Sequence, residues 1–240
     1  MEKGISIILP ALNEEENIGH AVHDIVEYFK DKKESYEIIV VDDGSTDMTP
    51  TLADRLAHKY KEVKVLHHKA NEGYGKSLKD GFQAASYEYL FFTDCDRQFD
   101  ISGLDIMFPL IKTGVVDLII GYRLKRKDPF ARKFLSWGYN TLVGFIFDLN
   151  VKDIDCAFKI FDKRIFEKID ITSKKFFVNT EILVKAHYYG YNMIEVGVPH
   201  FPRFAGKSTV SLKYIPLTIK ELFRIWIEMR RLRRLKNPTI

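Results

Sequence analysis

Short, continuous apolar runs alternate with helix-length stretches along the first half of this sequence, and this alternation constrains the fold more than any other feature. The runs lie at residues 5–9, 37–41, 63–66, 89–93 and 118–120. Between them, amphipathic stretches predict helices at about 15–30, 49–60, 75–86 and 102–112. Strands that are apolar throughout and separated by helices are typical of a mostly parallel sheet with helices on both faces. We therefore expect an α/β fold.

The second half of the chain continues the pattern less regularly. Residues 129–147, rich in Phe, Leu and Trp, predict a helix; a strand near 157–161, a helix near 178–189 and a strand near 193–198 follow. A final amphipathic helix is expected from about 215 to 235, with an apolar stripe at i, i+4 and i+7 spacing. No Ser- or Gly-rich linker divides the chain, so we expect one domain over residues 1–211 and a basic amphipathic helix and tail over 212–240.

Composition excludes several classes of protein. Of the 240 residues, 46% are hydrophobic and 29% are charged, which excludes a disordered or collagen-like chain. The longest stretch without a charge, residues 134–147, is too short to span a bilayer, and the N-terminus does not resemble a signal peptide. Two cysteines, Cys95 and Cys156, make no disulfide framework, which suits a reducing compartment such as the cytoplasm.

Positive charge is concentrated in two places. Residues 212–240 contain eight Lys or Arg residues and two Asp or Glu residues, a charge of +6 in a chain whose net charge is +4. A second basic cluster lies within residues 123–133. Such clusters indicate an anionic partner (phosphate, nucleic acid or a membrane surface) or are simply solvated faces. The final helix, with Trp and Phe opposite Lys and Arg, likewise fits either an interfacial membrane helix or an ordinary surface helix.

The segments that follow the predicted strands carry most of the candidate chemistry. Parallel strands end at one edge of a sheet, and ligands bind outside that edge. Three of the first four strands are followed by carboxylates, at Glu14, at Asp42 and Asp43, and at Asp94 and Asp96. The remaining one is followed by the glycine-rich segment 71–75. Packing does not explain such clustering, so we expect a functional site at this edge.

A metal site is the most specific expectation at this edge. Asp94 and Asp96 are two residues apart at the end of a strand, so both side chains can point to the same side of the pleat. Two carboxylates held this way suit Mg²⁺ or Mn²⁺, which complete their coordination with substrate phosphate oxygens. Gln98 can add a neutral oxygen.

Several neighbouring residues support more than one interpretation. His67 and His68 follow a strand without a zinc-ligand spacing, and we expect a solvated pair. Tyr74 either stacks on a nucleobase or is a structural turn residue, and Asp155 is either a surface or a site residue. A buried Glu181 would need a partner, which favours an active-site role.

Six motifs, in order along about residues 3–211, resemble those of glycosyltransferase family 2. The family's GT-A fold is a Rossmann-like, mostly parallel sheet that binds nucleotide sugars. Within the family, the chain is most similar to the dolichyl-phosphate mannose synthases and related polyprenyl-phosphate hexosyltransferases. The motifs are Pro10-Ala-Leu-Asn-Glu14, Asp42-Asp-Gly-Ser45, Asp94-Cys-Asp-Arg-Gln98, Asp153-Ile-Asp-Cys-Ala-Phe-Lys159, Asn179-Thr-Glu-Ile182 and Pro202-Arg-Phe-Ala-Gly-Lys-Ser208.

The resemblance implies a role for each group of site residues. Asp94, Asp96 and Gln98 would bind Mg²⁺ or Mn²⁺ on the diphosphate of the donor. The residues implied to bind the nucleotide sugar, GDP-mannose or UDP-glucose, are Pro10, Leu12, Glu14, Asp42, Asp43, Asn71, Asp94 and Cys95. The residues implied in catalysis are Asp96, Arg123, Arg132, Arg203 and Glu181, and the three arginines would grip an acceptor phosphate.

The implied reaction is an inverting, metal-dependent transfer of mannose or glucose to a polyprenyl or dolichyl phosphate. The helices at 129–147 and 215–235 would attach the protein peripherally to the cytoplasmic face of a membrane. Thr209 stands where many mannose synthases carry Lys, which leaves the donor hexose open.

Two alternative functions remain open at this point. A family 2 enzyme that acts on a hydroxyl of a sugar, polysaccharide or protein would need a carboxylate base near the acceptor. A non-catalytic, basic-tailed nucleic-acid-binding protein fits the tail but gives no reason for four aspartates at one edge, so we expect no nucleic acid partner.

Overall fold

A computed structural model describes residues 2–124, 130–202 and 215–236, without the side chains of residues 130–132, 215, 235 and 236. In this part of the chain, seven strands form one sheet in the order β3-β2-β1-β4-β6-β5-β7. The strands are β1 (Glu2–Ala11), β2 (Tyr36–Asp42), β3 (Val63–His67), β4 (Tyr87–Thr93), β5 (Leu118–Leu124), β6 (Phe158–Asp162) and β7 (Met193–Pro199). The expected α/β fold is confirmed.

The sheet is parallel except for one described strand. β1 pairs in parallel with β2 and β4, β2 with β3, and β5 with β7. β6 lies antiparallel between β4 and β5. The other six strands therefore end at the same edge, which we call the carboxyl edge.

Helices cover both faces of the sheet, as the sequence pattern predicts. Their bounds are α1 (Ile18–Phe29), α2 (Thr49–Lys59), α3 (Tyr74–Ala84), α4 (Leu104–Ile111), α5 (Phe130–Phe147), α6 (Val178–Tyr189) and α7 (Ile215–Lys236). Short 3₁₀ turns at Ile101–Gly103 and Lys163–Glu167 precede α4 and follow β6. Burial on two faces explains the continuous apolar runs: in β1, Ile7 and Leu9 pack under α1, whereas Ile8 packs under α3.

The C-terminal helix has two apolar faces. Leu222, Ile225 and Met229 are buried in the core shared with α3, α5 and α6. Ile219 and Phe223 are more than half exposed. α7 is therefore docked on the domain and still presents apolar side chains outward. The division between residues 211 and 212 lies outside the described residues and stays a prediction.

None of the helices in the described ranges combines the length and the apolar character needed to cross a membrane.

Candidate active site

The loops after β1 and β2 interlock at the carboxyl edge. Asn13, held in the left-handed region at a φ of 55°, donates its backbone N–H to Ser45 Oγ at 2.9 Å. Its side-chain Oδ1 accepts from the backbone N–H of Thr46 at 2.9 Å. The backbone N–H of Glu14 donates to Thr49 Oγ1 at 2.8 Å. These crossed bonds fix the two loops against each other.

Three of the predicted nucleotide-binding residues lie on this edge with different exposure. Pro10 is buried at the end of β1, whereas Leu12 is 41% exposed in the loop that follows. Asn71 is exposed in the loop between β3 and α3. The structure brings them to one edge, and their contact with a nucleotide stays a prediction.

Asp43 is buried, and its carboxylate fixes the turn at the start of α3. Its Oδ1 accepts from the backbone N–H of Glu72 at 2.8 Å, and its Oδ2 accepts from that of Gly73 at 2.9 Å. Gly73 has a φ of 100°, a conformation that glycine adopts at little cost. Asp43 therefore links the end of β2 to the turn at Gly73–Gly75.

His68 bridges Asp43 to α3. Its Nδ1 lies 2.7 Å from Asp43 Oδ1 and its Nε2 lies 2.9 Å from Asp80 Oδ2. Burial lowers the pKa of His68, but the hydrogen bonds with both carboxylates outweigh burial, so the pKa is raised above its usual value. The raised pKa favours the imidazolium form, in which both ring nitrogens donate.

His67 bridges a second pair of carboxylates. Its Nδ1 lies 2.9 Å from Asp42 Oδ2 and its Nε2 lies 3.1 Å from Asp54 Oδ1 on α2. The hydrogen bond with Asp42 is the main cause of a raised pKa at His67. The expectation of a solvated pair is wrong for His68, whose side chain is 9% exposed. His67 is exposed as expected, but it also meets two carboxylates that are distant in sequence.

Asp94 and Asp96 follow β4, as expected for a metal motif, and each has one carboxylate oxygen held by a neutral donor. The Tyr74 hydroxyl donates to Asp94 Oδ1 at 2.9 Å. The backbone N–H of Gln98 donates to Asp96 Oδ1 at 3.1 Å. Burial, together with the charges of Asp94 and other nearby carboxylates, raises the pKa of Tyr74 well above its usual value, so the phenol keeps its proton. Tyr74 and Asp94 are 20 residues apart, and no sequence pattern links them.

Gln98 turns its amide toward the segment that follows β7. Its Nε2 lies 3.4 Å from the carbonyl oxygen of Phe201 and 3.3 Å from His200 Nε2. The predicted metal-ligand role of Gln98 stays a prediction.

Cys95 packs beneath this motif. Its Sγ lies 3.5 Å from the carbonyl oxygen of Pro10, and the side chain is 1% exposed. Burial, followed by the charges of nearby carboxylates, raises the pKa of the Cys95 thiol well above its usual value, so it stays neutral. The predicted nucleotide contact of Cys95 stays a prediction.

The donor set fits a hard divalent cation. Mg²⁺ and Mn²⁺ need only one or two protein carboxylates when a diphosphate supplies the remaining oxygens. Asp94 and Asp96 supply two carboxylates at the edge where a ligand of the sheet binds. Within the described ranges, no three His, Cys, Asp or Glu side chains form a metal-binding group by themselves.

Arg123 lies near the end of β5 in a bidentate ion pair. Its Nε and Nη2 donate to Asp153 Oδ2 and Oδ1, both at 2.7 Å. The two side chains are 7% and 4% exposed. The side chain of Arg132 and the whole of Arg203 lie outside the described part of the chain. The grouping of three arginines around an acceptor phosphate therefore stays a prediction.

A buried lysine holds the loop between Asp153 and β6. Lys159 Nζ donates to the carbonyl oxygens of Ile154, at 2.9 Å, and Cys156, and to Asn179 Oδ1 at 3.0 Å. Burial lowers the pKa of this ammonium group. The same loop carries Asp155, which is half-buried and close enough to contribute to the raised pKa of Tyr74. Asp155 thus lies at the site.

Glu181 is fully buried on α6 beneath residues 172–173. Its carboxylate accepts from the backbone N–H groups of Thr172 at 3.1 Å and Ser173 at 2.7 Å, and from the Thr172 hydroxyl at 2.5 Å. Lys185, one helical turn away, donates to it at 2.8 Å. Burial alone would raise the pKa of Glu181. The charge of Lys185 and the hydrogen-bond donors lower it by more, so the pKa lies below its usual value. The expected partner exists, and a direct catalytic role stays a prediction.

A cleft of about 630 Å³ opens beside Asp94, between α1 and the segment after β4. Phe99, Phe158 and Pro202 supply apolar lining, and Arg97 supplies a cation. The Nε of Arg97 donates to Asp24 Oδ2 on α1 at 2.7 Å.

Comparison with known proteins identifies the family. Residues 6–170 match the model of Glycosyl transferase family 2. The chain belongs to glycosyl transferase family 2. The match includes the motifs at Glu14, Asp42, Asp94 and Asp153, whereas Glu181 lies beyond it.

Three curated relatives extend the likeness over most of the chain. Glycosyltransferase AglD of Haloferax volcanii is 30% identical over 94% of this chain. A dolichyl-phosphate beta-glucosyltransferase of Dictyostelium discoideum is 30% identical over 81%, and a dodecaprenyl-phosphate galacturonate synthase of Rhizobium johnstonii is 26% identical over 94%. The chain spans 37%, 65% and 67% of the lengths of these three proteins, respectively.

Solved structures confirm the GT-A fold. Glucosyl-3-phosphoglycerate synthase from Mycobacterium tuberculosis, in complex with phosphoglyceric acid, superposes with a TM-score of 0.73 at 18% identity. The match covers 95% of this chain and 80% of that one. A second structure of the same enzyme contains Mn²⁺, UDP-glucose and phosphoglyceric acid, and it has a TM-score of 0.73 at 17% identity over 95% and 79% of the two chains.

Proposed function

We propose that this chain catalyses the inverting transfer of a hexose from a nucleotide sugar to a polyprenyl phosphate, with Mg²⁺ or Mn²⁺ as cofactor. The observation that carries this proposal is the placement of Asp94 and Asp96 beside the Asp43-bound turn at the carboxyl edge. Relatives named for dolichyl-phosphate and dodecaprenyl-phosphate substrates support the lipid acceptor. UDP-glucose is the favoured donor, and GDP-mannose is the competitor, because the Dictyostelium relative is a glucosyltransferase.

Donor binding falls to the interlocked loops after β1 and β2. Leu12 offers exposed apolar surface for a base. Asp42 and Asp43 are buried, and Asp43 would shape the nucleoside side of the site through the turn at Gly73 that it holds. Asp94 and Asp96 would hold the cation that neutralises charge on the leaving diphosphate. The Tyr74 hydroxyl and the backbone N–H of Gln98 orient these two carboxylates before the donor arrives.

The acceptor requires no strong base in this reaction. A phosphate monoester is already anionic near neutral pH, so its oxygen attacks the anomeric carbon directly while the nucleoside diphosphate leaves. The new bond joins phosphate oxygen to C1, and the bond from C1 to the diphosphate breaks. Asp153 holds Arg123 in one orientation, which suits a guanidinium that contacts an anion. Arg132 and Arg203 complete this proposed acceptor site.

Exposed apolar side chains on two neighbouring helices support attachment to a membrane surface. α5 and α7 contact each other. Their outward faces also carry Lys and Arg residues, which attract anionic lipids. We define the apolar patch as the exposed side chains Phe134, Trp137, Phe145, Ile219, Phe223 and Ile227. Peripheral attachment at the cytoplasmic face would bring the lipid phosphate to the carboxyl edge.

An acceptor panel tests the proposal. Labelled UDP-glucose and labelled GDP-mannose are each incubated with protein, Mn²⁺ and either a short polyprenyl phosphate, the corresponding polyprenol or a soluble sugar. We expect label in the lipid phase with polyprenyl phosphate and one donor alone. Transfer to the polyprenol or to the sugar would instead identify a hydroxyl-specific family 2 enzyme.

A further inference from the structure

One short turn contacts both carboxylates on which the proposed donor site depends. The backbone N–H of Gly73 donates to Asp43 Oδ2 at 2.9 Å. The hydroxyl of the next residue, Tyr74, donates to Asp94 Oδ1 at 2.9 Å. A displacement of this turn would therefore move the nucleoside side and the metal side of the site together.

The turn rests directly on a second segment, residues 172–174, which we call the brace. The backbone N–H of Gly75 donates to the carbonyl oxygen of Lys174 at 2.9 Å. A Cβ atom added to Gly75 would lie 2.1 Å from the carbonyl oxygen of Ser173, and one added to Gly73 would lie 2.2 Å from that of Lys174. Backbone meets backbone here without spare room, so the position of the brace determines the position of the turn.

The brace is held from below by α6 and from the side by α7. Glu181 on α6 accepts from the backbone N–H groups of Thr172 and Ser173. Arg224 on α7 donates through Nη1 to Thr172 Oγ1 at 2.5 Å and through Nη2 to Ser173 Oγ at 2.6 Å. A guanidinium group that donates to two adjacent hydroxyls fixes both the position and the orientation of the brace.

Arg224 is itself held on a docked helix. Its Nε donates to Glu221 Oε2 at 2.9 Å, and its Nη1 lies 3.5 Å from Glu228 Oε2. Glu228 also pairs with the buried Lys185 of α6 at 2.7 Å. Other arginines of α7, such as Arg231, are exposed instead.

We propose that Arg224 is a positioning residue for the donor site and that α7 sets donor affinity through the brace. The identity of the ligand, a nucleoside diphosphate with its cation, rests on the proposed function. The series of contacts from Arg224 through the brace and the turn to Asp43 and Asp94 does not. On this proposal, the C-terminal helix is part of the donor-binding machinery in addition to any contact with a membrane.

The test measures donor-site affinity without any membrane. Isothermal titration with Mn²⁺–UDP and Mn²⁺–GDP is performed on the wild type, R224M, R224K and the charge-matched control R231M. For the nucleotide that the wild type binds more tightly, we expect about a tenfold higher Kd in R224M, as for other residues that orient metal ligands. R224K should recover part of the loss, because it keeps the charge but not the guanidinium group, and R231M should bind like the wild type. In transfer assays, KM for the donor should rise in R224M while KM for polyprenyl phosphate stays unchanged.

A double-mutant cycle distinguishes a positioning role of Arg224 from a general loss of folding in R224M. S173A removes one hydroxyl that accepts from Arg224 and leaves α7 untouched. If Arg224 acts through the brace, the Kd of S173A/R224M will equal that of R224M, whereas independent, multiplicative effects would overturn the proposal. An unchanged Kd in R224M, or one matched by R231M, overturns it as well. Failure of the wild type to bind either nucleotide overturns both this proposal and the proposed function.

Discussion

Replacing Tyr74 with Phe removes one hydroxyl group and tests how the metal motif is oriented. The ring packs against the core on the α3 side of the sheet, so Phe keeps that packing. What is lost is the hydrogen bond to Asp94 Oδ1 at 2.9 Å. A neutral donor to a charged acceptor contributes about 1.5–3 kcal/mol. At about 1.4 kcal/mol per tenfold, that loss corresponds to a roughly 10- to 100-fold weaker site.

Not all of this energy transfers to binding, because the free protein loses the hydrogen bond as well. Only the free energy needed to reorient Asp94 when the cation binds raises the Kd. Outer-shell partners of metal ligands commonly contribute tenfold or more to affinity, so we expect an increase of about tenfold in the Kd for Mn²⁺–UDP.

The assay is isothermal titration of wild type, Y74F and Y28F with Mn²⁺–UDP at pH 7. Tyr28 is a matched control because its hydroxyl also donates to an aspartate, Asp105, at 2.9 Å. Y28F should bind like the wild type. A Kd for Y74F within twofold of wild type would refute the assignment of Tyr74 as the residue that orients Asp94.

Three further expectations follow from the same structure. D96N should reduce hexose transfer by at least about 100-fold with little change in Tm, because Asn keeps the oxygen that accepts from Gln98; equal losses in the surface control D100N would contradict this. The raised pKa values of His67 and His68 predict a stability contribution that is complete below about pH 6.5 and is lost as pH rises through the raised values. Urea denaturation across this range should show it, and an unchanged pH profile in H67Q/H68Q would count against it. I219S should lower binding to anionic vesicles by about tenfold, whereas I106S, equally exposed on α4, should not; equal effects would place the membrane contact elsewhere.

The fold was predictable because its strands are buried on both faces. A strand with helices above and below must be apolar at nearly every position, so its run is visible without structural information. A strand that is apolar at nearly every position gives no sign of its direction in the sheet. Nothing in residues 157–161 distinguishes an antiparallel strand from a parallel one, and the reversal of β6 depends on its pairing with β4 and β5.

The site was predictable only where its residues are close in sequence. Asp94 and Asp96 form a local motif, and Lys185 lies at the i+4 position that commonly pairs with a glutamate such as Glu181. Arg123 and Asp153 are 30 residues apart. His68 follows β3 and meets Asp80 only because α3 packs against β1 and β2 next to that loop. Long-range partners of this kind follow from the fold, so a single sequence does not reveal them.

On the proposed function, Asp94, Asp96 and the turn beside them serve metal-dependent transfer of a hexose to a polyprenyl phosphate. The most direct test of this function is the transfer of labelled glucose from UDP-glucose to a short polyprenyl phosphate by the wild-type protein, with Mn²⁺ and with excess EDTA. We expect lipid-phase label with Mn²⁺ and its loss with EDTA. Equal lipid-phase label under both conditions, or none with Mn²⁺ in protein that binds UDP, would contradict it.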